Sequence, residues 1–227
     1  MSKIIVALDL ERKEAIELAK RLDPNLCKIK VGSELFTSSG PKIIEDLKKI
    51  GFDIFLDLKF HDIPNTVASA VREASNLGVW MLNIHTSGGK QMMMSAVEAL
   101  KQDMKPILIG VTVLTSIGKE EAENIGMNRI EDHALSLAKL AKESGLDGIV
   151  CSPKEVKKIK EICGRNFIAV TPGIRLLNDS GDDQNRISSP REAIMNGSDF
   201  LVIGRPITRS PNPLKSLDSI INGLIQT

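Results

Sequence analysis

Within the ten residues Asp57-Leu-Lys-Phe-His-Asp-Ile-Pro-Asn-Thr66, two acids flank a lysine at the end of an apolar run. The run itself, Phe52-Asp-Ile-Phe-Leu56, is short and β-prone, and reads as a buried strand. Side chains alternate along a strand, so Asp57 and Lys59 are expected to share a face, with Asp62 at the turn that follows. Pro64 and Asn65 then open a helix over about 66–77. Charges set in a row at a buried strand end are costly unless they pair or act on something charged. The alternatives are a structural ion pair and a proton-transfer or electrostatic centre.

The elements around this segment repeat one pattern. Strand-like runs at 3–9, 27–32, 52–56, 80–85, 106–115, 148–152, 167–171 and 200–204 are each followed by a segment of helical character. The helices are expected at 11–22, from Pro41 to a Gly51 cap, at 66–77, 91–100, 130–144, 154–162, 190–196 and 213–225. Eight such units in 227 residues, with no linker or compositional break, predict an α/β fold: a single (β/α)8 TIM barrel domain over 1–227.

Active sites of such barrels lie at the C-terminal ends of the strands. Those ends carry Asp9, Lys30, Asp57, Lys59, Asp62, His85, Thr115 with Ser116, the segment Thr171-Pro-Gly-Ile-Arg175, and Gly204-Arg205. Lys28 and Lys30 have the same parity, and Lys30 is chosen because it lies nearer the lip. Loops after the last two strands commonly hold phosphate. Gly173 and Gly204 would let backbone N–H groups approach an oxyanion, and Arg205 adds a forked cation. The long polar stretch between Arg175 and Pro190 is expected to be a lid.

Composition narrows the remaining classes. Charged residues are 26%, hydrophobic residues 42% and the net charge is +1, with basic residues spread along the chain. That speaks against a nucleic-acid surface or an anionic-membrane surface. Apolar runs are strand-sized, too short to span a bilayer, and the early first strand leaves no room for a signal peptide. Three scattered cysteines and three histidines give neither a disulfide framework nor a metal-ligand spacing. A cytoplasmic, enzyme-sized protein in a reduced compartment, with no obligatory metal, is the expectation.

The motifs together resemble the bacterial type of the orotidine 5′-phosphate decarboxylase family. The resemblance rests on Val6-Ala-Leu-Asp9, Lys30-Val-Gly, the 57–66 segment, Asn83-Ile-His-Thr-Ser-Gly-Gly89, Val111-Thr-Val-Leu-Thr-Ser116, Asp147-Gly-Ile-Val-Cys-Ser-Pro153, Thr171-Pro-Gly-Ile-Arg175, Asp183-Gln-Asn-Arg186 and Ile203-Gly-Arg-Pro-Ile207. Sugar-phosphate decarboxylases and aldolases on the same barrel share the Asp-x-Lys-x-x-Asp core. The Ile-Pro-Asn-Thr that follows it, and the Gln184 and Arg205 segments, are more specific.

The resemblance implies cofactor-free decarboxylation of orotidine 5′-monophosphate to uridine 5′-monophosphate in pyrimidine synthesis. It implies that Lys59 protonates C6, that Asp57 sits against the leaving carboxylate, and that Lys30 and Asp62 complete a charge array. Asp62 and Thr66 would reach the partner's site in a homodimer. Asp9 and Lys30 would contact the ribose, Thr115 (or Ser116) the base, and Arg175, Gln184, Gly204 and Arg205 the phosphate.

Overall fold

Buried runs of Ile, Leu and Val must pair every backbone N–H and C=O, and a closed parallel sheet does this without leaving an edge. The computed structural model describes residues 2–100, 105–174 and 188–225. Its strands are β1 (Ile4–Ala7), β2 (Lys28–Gly32), β3 (Ile54–Phe60), β4 (Met81–His85), β5 (Ile107–Val111), β6 (Gly148–Val150), β7 (Ile168–Thr171) and β8 (Phe200–Ile203). They form a closed barrel in chain order, each parallel to the next, with β8 returning to β1. The barrel expected from the eight repeats is therefore borne out.

The helices among the described residues are α1 (Arg12–Ala19), α2 (Ser33–Ser39), α3 (Lys42–Ile50), α4 (Pro64–Asn76), α5 (Gly89–Glu98), α6 (Lys119–Asn124), α7 (Ile130–Glu143), α8 (Val156–Cys163), α9 (Pro190–Met195), α10 (Arg205–Thr208) and α11 (Pro213–Ile225). Gly51 ends α3 in the left-handed region at φ 110°, as a C-terminal glycine should. Three short helices, α2, α6 and α10, were not expected. Each buries one side chain, Leu35, Ala122 or Ile207, so none has a periodicity to read.

Side chains fill two layers. Inside the barrel Ile5, Phe55, Met81, Ile109 and Val170 pack together. Between strands and helices lies the larger core, including Ile29, Leu56, Val71, Leu82 and Met92. Lys28 and Lys30 share a face of β2, as alternation requires, but serve opposite ends. Lys28 pairs with Asp53 and lies 4.3 Å over the Trp80 ring at the N-terminal end. That leaves Lys30 for the other mouth.

The N-terminal end is also held by a repeated device. Asp147, just before β6, accepts the Leu108 N–H of β5 at 2.8 Å. Asp199, just before β8, accepts the Ala169 N–H of β7 at 2.7 Å and the Lys160 ammonium at 2.6 Å. Cys27, Cys151 and Cys163 are buried thiols outside any disulfide, and burial pushes the Cys27 thiol up to about 12. Among the described residues, no helix is long and apolar enough to cross a membrane.

One strand is shorter than its apolar run. The expected strand over 106–115 ends at Val111. Beyond it, Val113 packs with Ala134 and Leu137 of α7 and with Ile117, Met127 and Ile130, in a small core of its own. Thr115 thus stands in the β5–α6 loop and not at a strand end.

Gly148 is needed where β6 meets β7, because a Cβ there would lie 2.3 Å from the Ile168 carbonyl oxygen. Backbone cannot yield as a side-chain tip can. Gly148→Ala should lower stability by about 2–3 kcal/mol, and so Tm by roughly 4–10 °C for a chain of this size. Urea unfolding checks this, and an unchanged midpoint would refute the packing argument.

Candidate active site

At the C-terminal mouth the strand ends surround a cavity of about 450 Å³, within the size range of small-molecule sites. Four charged side chains on its wall form one alternating line. Lys30 Nζ lies 3.0 Å from Asp9 Oδ1 and 3.4 Å from Asp57 Oδ2. Lys59 Nζ donates to Asp57 Oδ1 at 2.7 Å. Both Lys30 and Asp57 are 8% exposed, so these charges interact with little solvent screening.

Burial alone would lower the Lys30 ammonium, but Asp57 and Asp9 outweigh it and hold it above the usual lysine range. Burial likewise favours the protonated Asp57, yet Lys30, Lys59 and an Asn83 hydrogen bond keep its carboxyl below the ordinary value. Gly32 makes room for the line. A Cβ there would meet Lys30 Nζ at 2.9 Å and Asp9 Oδ1 at 3.2 Å.

Lys59 reaches Asp57 by a route that simple alternation does not provide. In β3, Leu56 pairs with Leu82, and the next paired residue, Phe60, meets Ile84. Residues 57–59 therefore bulge opposite the single residue Asn83. Lys59 adopts φ 52°, the only left-handed non-glycine among the described residues. Such a conformation costs about 1–2 kcal/mol for an L-residue and needs compensation from its surroundings. Asn83, fully buried, supplies part of it: its Oδ1 accepts the Lys59 N–H at 2.8 Å, and its Nδ2 donates to Asp57 Oδ1 at 2.7 Å.

Gly173, Gly204, Arg205, Thr208 and Arg209, from the segments after β7 and β8, also line the cavity. Gly173 has φ 75°, so its glycine is dictated by the backbone. At Gly204, among the described residues, a Cβ would meet only Ala7, at an ordinary 3.6 Å. Thr115 and Ser116 also line the cavity, with Thr115 buried.

Two of the sequence candidates stay apart. Asp62 and Thr66 are exposed and do not line the cavity, and Asp62 Oδ1 accepts the Ile63 N–H at 2.6 Å. His85 pairs its ring with that of His61 at 5.4 Å. Its pKa is lowered by burial first, then by the His61 and Lys59 charges. Arg175, Gln184 and the lid expected over 176–189 fall wholly or mostly outside the described residues. Asn83, Thr208 and Arg209 were not singled out by sequence. Only Asn83 left a signal, a polar residue among the buried, apolar Met81, Leu82 and Ile84 of β4.

The family model described as "Orotidine 5'-phosphate decarboxylase / HUMPS family" matches residues 2–220. A protein named orotidine 5′-phosphate decarboxylase from Legionella pneumophila (strain Corby) is 53% identical over 226 residues, covering 98% of this chain and 99% of that one. Another of that name, from Saccharophagus degradans (strain 2-40), is 50% identical over 221 residues, covering 96% and 93%. The crystal structure of an orotidine 5′-phosphate decarboxylase from Lactobacillus acidophilus superposes with a TM-score of 0.86 at 39% identity, covering 99% of each chain.

The charges have a measurable pH signature. With its folded pKa depressed, Asp57 stabilises the fold above about pH 4, the ordinary carboxyl value, and that contribution is lost as the pH falls from there through the folded pKa. The urea midpoints of the parent and Asp57→Asn should differ by a constant amount between about pH 5 and 7 and converge only below about pH 4. A difference that is already shrinking near neutrality would contradict the assignment.

Proposed function

This chain belongs to the orotidine 5′-phosphate decarboxylase / HUMPS family, and from that premise we propose that it converts orotidine 5′-monophosphate to uridine 5′-monophosphate and CO2 in pyrimidine synthesis. The relatives at 50% identity and above carry the decarboxylase name over nearly their full length, which favours this substrate over a sugar phosphate. One observation carries the reading: an alternating Asp9–Lys30–Asp57–Lys59 line, with Lys30 and Asp57 buried, in a cavity that Gly173, Gly204 and Arg205 also line.

Breaking the bond between C6 and the carboxyl group leaves an electron pair in an sp² orbital that the ring π-system cannot absorb. The protein must meet that charge with one already in place. Lys59 is the candidate, as an ammonium held at 2.7 Å from Asp57. It faces the developing carbanion and then delivers its proton to C6, and the resulting amine is reprotonated from water. Asp57 has one oxygen committed to Lys59 and Asn83, so positioning the lysine is the role the geometry supports best. The lysines need no metal or cofactor for this chemistry.

The phosphate does not react, but its binding energy can fix the base against the charges. Arg205 supplies a cation there. Gly204, which has no Cβ, suits close approach of a phosphoryl oxygen to the backbone. Arg175 and Gln184 belong to the same proposal by resemblance, as does Thr115 at the base.

Asp62 and Thr66 are proposed to act in the site of a partner copy, in a homodimer. Support comes from the Asp62 carboxylate lying outside its own cavity and from Ile63 beside it, 66% exposed. We take residues 1–227 as one catalytic domain. Its compartment is proposed to be the cytoplasm, which three buried thiols outside any disulfide suit.

A continuous ultraviolet assay with orotidine 5′-monophosphate tests the chemistry. Lys59→Ala should lose at least ~3–4 kcal/mol of transition-state stabilisation, and undiminished CO2 release would end the proposal. Arg205→Ala should cost at least ~2 kcal/mol in kcat/KM, with near-normal efficiency counting against the phosphate wall. Mixing inactive Lys59→Ala and Asp62→Ala proteins should restore about a quarter of parental activity, since half of random dimers would carry one intact site. No recovery after subunit exchange would argue against the shared site.

A further inference from the structure

We infer that Asn83 is a positioning residue for the proposed decarboxylation, one planar amide that sets both the backbone of Lys59 and the carboxylate of Asp57. The inference rests on the reading of Lys59 as the proton donor, and goes beyond it by assigning what holds that lysine in place.

Three observations converge on this residue. Its side chain is fully buried, in a strand whose other buried side chains, Met81, Leu82 and Ile84, are all apolar. Burying an amide at such a position is unfavourable unless both of its ends are bonded. Both are: Oδ1 receives the Lys59 N–H at 2.8 Å and Nδ2 reaches Asp57 Oδ1 at 2.7 Å. Which end is oxygen follows from chemistry, because an N–H requires an acceptor and an ionised carboxylate requires a donor.

The second observation is the bulge. Residues 57–59 stand opposite Asn83 alone, so the regular ladder between β3 and β4 is interrupted there. The amide serves the Lys59 N–H in its place. The third is the left-handed φ of 52° at Lys59 itself. A long cationic side chain gains nothing from that conformation locally, so the surroundings must impose it. Together these contacts close a ring. Asn83 bonds the Lys59 backbone, the Lys59 ammonium bonds Asp57 Oδ1 at 2.7 Å, and Asp57 returns to Asn83. The reacting ammonium is thereby fixed at both ends of its own side chain.

No shorter or charged residue does both jobs. Aspartate at 83 keeps an acceptor for the N–H but places a second carboxylate against Asp57. Serine is too short to span both partners. Among the described residues Asn83 bonds Lys59 and Asp57 and does not line the cavity, so the phosphate side should not sense its loss.

Asn83→Asp should therefore lower kcat by about a hundredfold, as a reacting group shifted by about an ångström does. Affinity for uridine 5′-monophosphate, titrated on the same preparation, should stay within about threefold of the parent. A kcat within about threefold of the parent overturns the role, as does a fall in product affinity that matches the fall in kcat. If Asn83→Asp does not fold, Asn83→Ser decides by the same two readings, with kcat expected to fall about tenfold. Failure of both to fold would mean that residue 83 holds the barrel and not the lysine, which also overturns the inference. A parent that releases no CO2 would instead sink the decarboxylase reading, and this inference with it.

Discussion

A single carboxylate, Asp57, holds the mouth of the barrel together. It is nearly buried, and it is flanked by the ammonium groups of Lys59 at 2.7 Å and Lys30 at 3.4 Å. Two like charges so near one another would repel strongly in a poorly solvated site. The carboxylate between them, with Asp9 beyond Lys30, turns that repulsion into an alternating line. Removing Asp57 would leave the two ammonium groups facing each other with only Asp9, on the far side of Lys30, to offset them. The array is therefore cooperative by construction.

The rest of the barrel can be understood as what places this line. β2 brings Lys30 inward, and Lys28, two residues earlier, is diverted to Asp53 and Trp80 at the opposite end. The interior plug of Ile5, Phe55, Met81, Ile109 and Val170 separates the two ends. Asp147 and Asp199 fix strand starts on the far side, so the stabilising ion pairs and the charges at the mouth do not share partners. This division follows the usual separation in such barrels of a stability face from a working face.

Much of this could be read from the chain because period and position are local properties. Eight alternations of short apolar runs with helical segments gave the barrel, and distance from the lip separated Lys30 from Lys28. Where reading failed, tertiary context had intervened. The run over 106–115 looked like one strand, yet its second half packs beneath a loop against α7. Asp57 and Lys59 meet as alternation suggested, but through a bulge and a left-handed residue that no period of two describes. Asn83 was visible only as part of a motif, since its partners come from a neighbouring strand. Arg175 and Gln184 lie outside the described residues, and their side of the site rests on resemblance.

Gly32 shows how finely such a site can be separated from the fold that carries it. A methyl group there would press on the tip of Lys30 at 2.9 Å and on Asp9 Oδ1 at 3.2 Å, and, among the described residues, on no backbone atom within 4 Å. Lysine tips swing aside easily, so the barrel would accommodate alanine while the ammonium moved out of line. Tolerance to folding and tolerance to catalysis part company at that residue. Under the proposed function, a library selected only for expression would keep alanine at 32 while losing activity.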